Sequence, residues 1–265
     1  MNVGQRNNIN IKGSGSQVII FSHGFGCDQN MWRYVTPAFE KDYKVVLFDH
    51  VGAGNSDLSA YSPQKYADLG GYANDIIELC TELQFQDIIF VGHSVSAMMG
   101  IIAALKLPQL FKMLILVAPS PSYINDRDYV GGFTKQEINE LIESLDNNHL
   151  GWSNNMAPVI MANADKEELA EELANSFCRT NPEIARQFAR VTFLSDKREL
   201  LPLLQIPSLI LQCSDDVIAP KQVGEYMHRH ISGSQLVLLE ATGHCPNLSA
   251  PAETTSAILQ FLSCN

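Results

Sequence analysis

The sequence predicts an α/β fold, a mostly parallel twisted sheet with helices on both faces and a four-helix insertion before one of its later strands. Three observations predict it. First, apolar runs of strand length recur at Val18–Phe21, Val45–Phe48, Ile88–Val91, Leu114–Val117, Leu209–Leu211 and Leu236–Leu239. They are continuous rather than alternating, which suits strands buried on both faces of a parallel sheet. Second, stretches between these runs carry a helical period. Ala73, Ile76, Ile77, Cys80 and Leu83 fall on one stripe, and Val223, Tyr226, Met227 and His230 on another. Strands alternating with helices imply right-handed crossovers that cover both sheet faces. Third, the alternation stops between Tyr123 and Leu201, where only helical periods are found, at 134–147, 152–161, 166–177 and 182–195.

These observations divide the chain into core residues 1–122, an inserted helical unit at 123–201 and core residues 202–265. Pro121, Gly131 and Gly132 punctuate the entry to the insertion, and Pro202 and Pro207 its exit. The insertion reads as a lid over the sheet edge, because it directly precedes the strand that leads to Asp216. The plainer alternative is a helical extension of the core. Gly131 and Gly132 are candidate hinges for such a lid.

Composition narrows the function. The 265 residues include 46% hydrophobic and 18% charged side chains, as in a compact globule. A net charge of -11 argues against a nucleic-acid partner, because phosphate contacts need clustered Lys and Arg. No window approaches the ~18 uninterrupted apolar residues of a membrane span, and the first residues, MNVGQRNNINIKGSG, lack the apolar core of a secretory signal. Cys27, Cys80, Cys178, Cys213, Cys245 and Cys264 have no CxxC spacing and mostly sit in apolar runs. They read as buried free thiols, and a cytoplasmic location follows. Cys27 and Cys245 flank site loops, where a reactive thiol is the less favoured reading. No HExxH or comparable spacing is found, so no metal or other cofactor is expected.

The chemistry is concentrated in Gly92-His93-Ser94-Val95-Ser96, which follows an expected strand and precedes a helical run, Ala97–Leu107. That is the setting of a nucleophile elbow, a strained strand-to-helix turn whose flanking positions must be small. Gly92 meets the need, and Ser96 stands where glycine is commoner. Ser96 is expected to serve by its size alone, so that Ser96→Gly would be tolerated. A serine hydroxyl needs a general base oriented by a carboxylate, and on this architecture the order is Ser, acid, His. Asp215 and Asp216 both follow the strand ending near Cys213. Asp216, four residues before Pro220, fits the acid's placement, and Asp215 reads as a turn or capping residue. His244, after the last strand in Thr242-Gly243-His244-Cys245-Pro246, is the candidate base; a solvated or capping histidine is the plain alternative.

An oxyanion hole needs two backbone N–H donors. Val95, after the nucleophile, supplies one. Phe25, in the His23-Gly24-Phe25-Gly26 loop that follows the first long apolar run, supplies the other, with His23 structural. The stretch Asp49–Ser56 lacks the lysine and third glycine of a phosphate loop and reads as a surface turn.

In HGFG, DHVGAGNSD, GHSVSAMMG, SPSYINDRDYVGGF, SDDVIAP and GHCP, the chain resembles the α/β-hydrolase fold family, and it does so over nearly its whole length. Within it, the chain is similar to the RsbQ-type bacterial stress regulators and the plant karrikin and strigolactone receptor hydrolases. The resemblance implies Ser94, Asp216 and His244 as triad and a four-helix, V-shaped lid over an apolar pocket. Tyr123, Phe133, Trp152, Met156, Phe188 and Phe193 are candidate pocket residues, with ordinary helix packing as the alternative for each. Two functions are expected. One is a serine hydrolase for a small, mostly apolar ester or lactone. The other is a ligand sensor with slow hydrolysis that acts on a regulatory protein partner, which in RsbQ relatives is a phosphatase.

Overall fold

The computed structural model describes residues 2–265. Its sheet has seven strands: β1 (Asn10–Lys12), β2 (Gln17–Ser22), β3 (Tyr43–Leu47), β4 (Ile88–His93), β5 (Phe111–Val117), β6 (Ser208–Asp215) and β7 (Gln235–Thr242). Their spatial order is β1-β3-β2-β4-β5-β6-β7, with β1 antiparallel to β3 and every other pairing parallel. The helices are α1 (Val3–Arg6), α2 (Leu69–Glu82), α3 (Val95–Lys106), α4 (Lys135–Asn147), α5 (His149–Met161), α6 (Glu167–Arg179), α7 (Pro182–Phe193), α8 (Lys221–His230), α9 (Pro246–Ser249) and α10 (Pro251–Ser263).

Side chains alternate across a strand, so buried strands must feed two cores. Ile19, Phe21, Ile89, Val91, Ile115 and Val117 join Trp32, Phe39, Ile258 and Phe261 in one cluster. Their neighbours Val18, Ile20, Ile88, Phe90, Leu114 and Leu116 pack with Ala73, Ile76, Met98, Val223 and Met227 of α2, α3 and α8 in the other. The expected apolar runs are therefore strands β2 to β7, of which β7 is the sheet's edge and only partly buried, contrary to the expectation of burial on both faces. Sequence periodicity missed α1 and β1: β1 is exposed at all three residues, so it has no apolar signature and is held by its ladder to β3.

Helices α4 to α7 stand consecutively between β5 and β6. Helix α4 opens on a capping box in which Thr134 and Glu137 satisfy each other's N-terminal groups. Asn148 caps α5, accepting from Gly151 N–H at 2.9 Å, so this helix starts before the apolar period becomes visible. Gly131 and Gly132 are fastened rather than loose. Both N–H groups donate to Asn125 Oδ1, at 2.9 and 3.0 Å. A Cβ on Gly131 would lie 2.6 Å from the Tyr123 carbonyl carbon. Close backbone approach accounts for Gly131 without calling on a hinge.

Candidate active site

Four strand ends build the site. Strand β4 delivers Ser94 at φ 55° and ψ -124°, a conformation with positive φ that a non-glycine residue adopts only under constraint. The constraint is visible on both sides. Ser94 N–H donates to Val117 O at 2.8 Å. A Cβ at Gly92 would lie 2.7 Å from Ser96 O, so only glycine lets α3 come this close to β4.

Strand β6 delivers Asp216. Its Oδ1 accepts from Ile218 and Ala219 N–H at 2.8 and 3.0 Å, which leaves Oδ2 to accept from His244 Nδ1–H at 2.7 Å. Ser94 O–H donates to His244 Nε2, also at 2.7 Å. Ser94, Asp216 and His244 are 5%, 4% and 5% exposed, so these bonds form out of bulk water, where they are strongest. Asp215 lies outside this arrangement: its side chain is exposed, and only its carbonyl serves the site, accepting from Gly243 N–H at 2.7 Å.

The loop after β7 is fixed from three directions. Gly243 has φ 79°, and a Cβ there would lie 1.9 Å from Met161 O. His244 N–H donates to Ile160 O at 2.8 Å, so the end of α5 holds the backbone of the base. His93 Nε2–H donates to His244 O at 2.7 Å. Burial, with His244 beside it, pushes the His93 pKa down to about 3, so its ring is neutral and acts as a fixed donor. No sequence pattern marks this role of His93, because a bond spanning from residue 93 to residue 244 leaves no local trace.

The N–H groups of Phe25 and Val95 donate to no protein acceptor among the described residues. Gly24 lies against the elbow, where an added Cβ would be 3.4 Å from Ser94 Cβ. The HGFG loop and the start of α3 thus flank the nucleophile.

Aromatic rings converge above it. Tyr123 O–H reaches Ser94 Oγ at 3.4 Å and its ring meets Phe193 at 5.2 Å between centroids. The Phe25 ring is surrounded by Trp152, Phe188 and Phe193 at 6.1, 5.4 and 5.6 Å. Phe177, which sequence reasoning missed, joins them at 6.0 Å. It falls on the apolar stripe of α6, so its position there does not separate it from a packing residue. Phe133 and Met156 are half-buried and, like Phe25, pack against the core that contains Tyr123, Trp152, Phe177 and Phe193. The crevice beside the cluster, lined by Phe25, Trp152, Phe177 and Phe188, encloses only ≈ 10 Å³.

Two sequence expectations fail here. Asp49, His50 and Val51 are each 1% exposed, so the expected turn over 49–56 is buried along most of its length and reaches the surface only at Gly54 and Asn55. The Ser96 hydroxyl is also more than small: it bonds the His23 carbonyl and His50 Nε2. Cys27 and Cys245 are buried, and burial raises both thiol pKa values, which keeps them protonated and inert. Cys178 is half-buried and Cys264 exposed, departing from the expectation of uniformly buried thiols.

A serine, a histidine and an aspartate linked in this order at the carboxyl ends of a parallel sheet define a serine hydrolase. The chain belongs to the alpha/beta hydrolase family, whose model matches residues 19–257. It is 37% identical over 261 residues to the Karrikin insensitive 2 receptor CA of Petunia hybrida, covering 98% of this chain and 97% of the receptor. It is equally 37% identical over 256 residues to the strigolactone esterase D14 of Arabidopsis thaliana, covering 96% and 94%. The solved structure of a hydrolase from Oleispira antarctica matches with a TM-score of 0.97 at 42% identity, covering 99% of this chain and 97% of that one. No helix among the described residues is long and apolar enough to cross a membrane.

Proposed function

We propose that the protein hydrolyses a small, mostly apolar carboxylic ester or lactone through an acyl-enzyme on Ser94, and that this chemistry serves ligand sensing. The observation that carries the reading is the pair of 2.7 Å bonds joining Ser94 to His244 and His244 to Asp216. Ser94 Oγ attacks the carbonyl carbon as its proton passes to His244 Nε2. Asp216 holds the imidazole and offsets its positive charge, and the carbonyl oxygen, now an anion, sits between the N–H groups of Phe25 and Val95. His244 returns the proton to the leaving alkoxide, then activates water to release the acid.

Tyr123, Trp152, Phe188 and Phe193 supply an apolar wall, which favours an uncharged substrate. Residues 123–201 act as a lid on this reading, since α5 and α7 supply three of those four rings. A sensor with slow turnover and a regulatory protein partner is favoured by one observation, the close fit of aromatic rings around Phe25, which must part before a ligand enters. The receptor and esterase names of the plant relatives support the same pairing of roles.

The test is hydrolysis of p-nitrophenyl acetate. Ser94→Ala should remove measurable turnover with the melting temperature almost unchanged, because the hydroxyl adds little to packing. Activity near wild type in this variant would sink the assignment of the nucleophile.

A further inference from the structure

Behind the elbow lies a buried polar cluster that the triad does not use. Ser22, His23, His50 and Ser96 are between 0% and 1% exposed. The hydrogen bonds fix the protons. His50 N–H donates to His23 Nε2 at 3.0 Å, so His23 carries its proton on Nδ1, which donates to Gly24 O at 2.9 Å. Ser96 O–H donates to the His23 carbonyl, and Ser96 Oγ accepts from His50 Nε2–H at 2.9 Å. The same Nε2 lies 3.2 Å from His23 O and 3.1 Å from Ser22 Oγ. Burial holds His50 well below its ordinary pKa, with His23 adding to the effect, so the ring stays neutral.

We propose that Ser96 and His50 are positioning residues for the oxyanion hole: together they clamp the His23 carbonyl and thereby aim the Phe25 N–H at the carbonyl oxygen bound over Ser94. The proposal rests on the reading of Phe25 as an oxyanion donor. A peptide unit is planar, so fixing the His23 carbonyl fixes the N–H of Gly24 and the direction in which the chain leaves. The next residues have two glycines, Gly24 and Gly26, and Gly26 has φ 68°. Such a segment rotates easily unless held. Within this turn Gly24 O, the carbonyl of the peptide unit that bears the Phe25 N–H, accepts from His23 Nδ1 at 2.9 Å and from Cys27 N–H at 3.4 Å, so the hold on that unit runs through His23, whose carbonyl the clamp fixes. Ser96 is two residues past the nucleophile on the first turn of α3, so its hydroxyl ties the donor loop to the element that carries Ser94. Glycine at 96 would fit the space and omit this tie.

Removing an oxyanion donor outright costs about 10²–10³ in kcat. Loosening one should cost about 10-fold or somewhat more. The experiment compares wild type with Ser96→Ala and Ser96→Gly in p-nitrophenyl acetate hydrolysis, in binding of butylboronic acid and in thermal melting. Ser96→Gly serves as a second variant should the alanine disturb packing. The expected result is kcat lowered about 10-fold or more, KM within about twofold, and an unmoved pH midpoint, because the base is untouched. Affinity for the boronic acid, which forms a tetrahedral adduct on serine, should weaken by a similar factor. A kcat within about twofold of wild type in either folded variant, or a loss confined to melting temperature, overturns the clamp. A crystal structure of the wild-type boronate adduct separates the two possible failures. An adduct oxygen away from the Phe25 and Val95 N–H groups removes the oxyanion reading itself. An oxygen held between them, with unaffected Ser96 variants, removes only the clamp.

Discussion

Asp216 divides its work between two oxygens. Oδ1 accepts from the N–H groups of Ile218 and Ala219, and Oδ2 accepts from His244. Asp216→Asn preserves the shape and the turn, yet can present an amide N–H where His244 Nδ1 needs an acceptor. The imidazole then takes the wrong tautomer, and kcat should fall on the order of 10⁴. Asp215→Asn should stay near wild type, because that side chain faces solvent. Steady-state kinetics of the two variants check the choice, and damage from Asp215→Asn alone would reverse it. At this scale the three residues were legible because each sits in a short motif at a strand end. His93, His50 and Ser96 gave no such signal. Their partners lie 151, 27 and 73 residues away along the chain for the bonds that define them. A hydrogen bond over that distance leaves no spacing to read.

Among the elements, the turn that leads into α4 separates what a sequence pattern says from what packing demands. Paired glycines read as freedom, but a Cβ added at Gly131 would lie 2.6 Å from the Tyr123 carbonyl carbon and 2.8 Å from backbone atoms of Ile124. Those are backbone atoms, which cannot swing aside as a side-chain tip does. Gly131→Ala should therefore destabilise by on the order of 2 kcal/mol, the range of a backbone clash in a packed turn. Denaturant unfolding measures it, and an unchanged midpoint would restore the hinge reading. The four inserted helices were visible in advance for the opposite reason: α4, α6 and α7 are amphipathic, with apolar stripes facing inward. Period reports which face is buried. It does not report what that face meets, which is why Phe177 was indistinguishable from its neighbours on α6.

Across the whole molecule, the sheet and the insertion differ in how firmly they are held. Strands β2, β4 and β5 place nearly all their side chains in two cores. Helix α5 is weaker by construction. Pro158 lacks the N–H its own helix would use, Leu150 and Val159 are 58% and 48% exposed, and Ala162 closes the helix at φ 47°, where a Cβ is strained. Yet this helix end accepts the His244 N–H through Ile160 O. Local opening follows local stability, not the global value. Warming should therefore silence the protein before it melts: the residual ester turnover should have a lower midpoint temperature than the loss of far-UV ellipticity, and cooling from between the two should restore it. Coincident midpoints would show that α5 is as durable as the sheet. The heat tolerance of the catalyst is then set at one carbonyl of the insertion, and engineering the sheet would leave it unchanged.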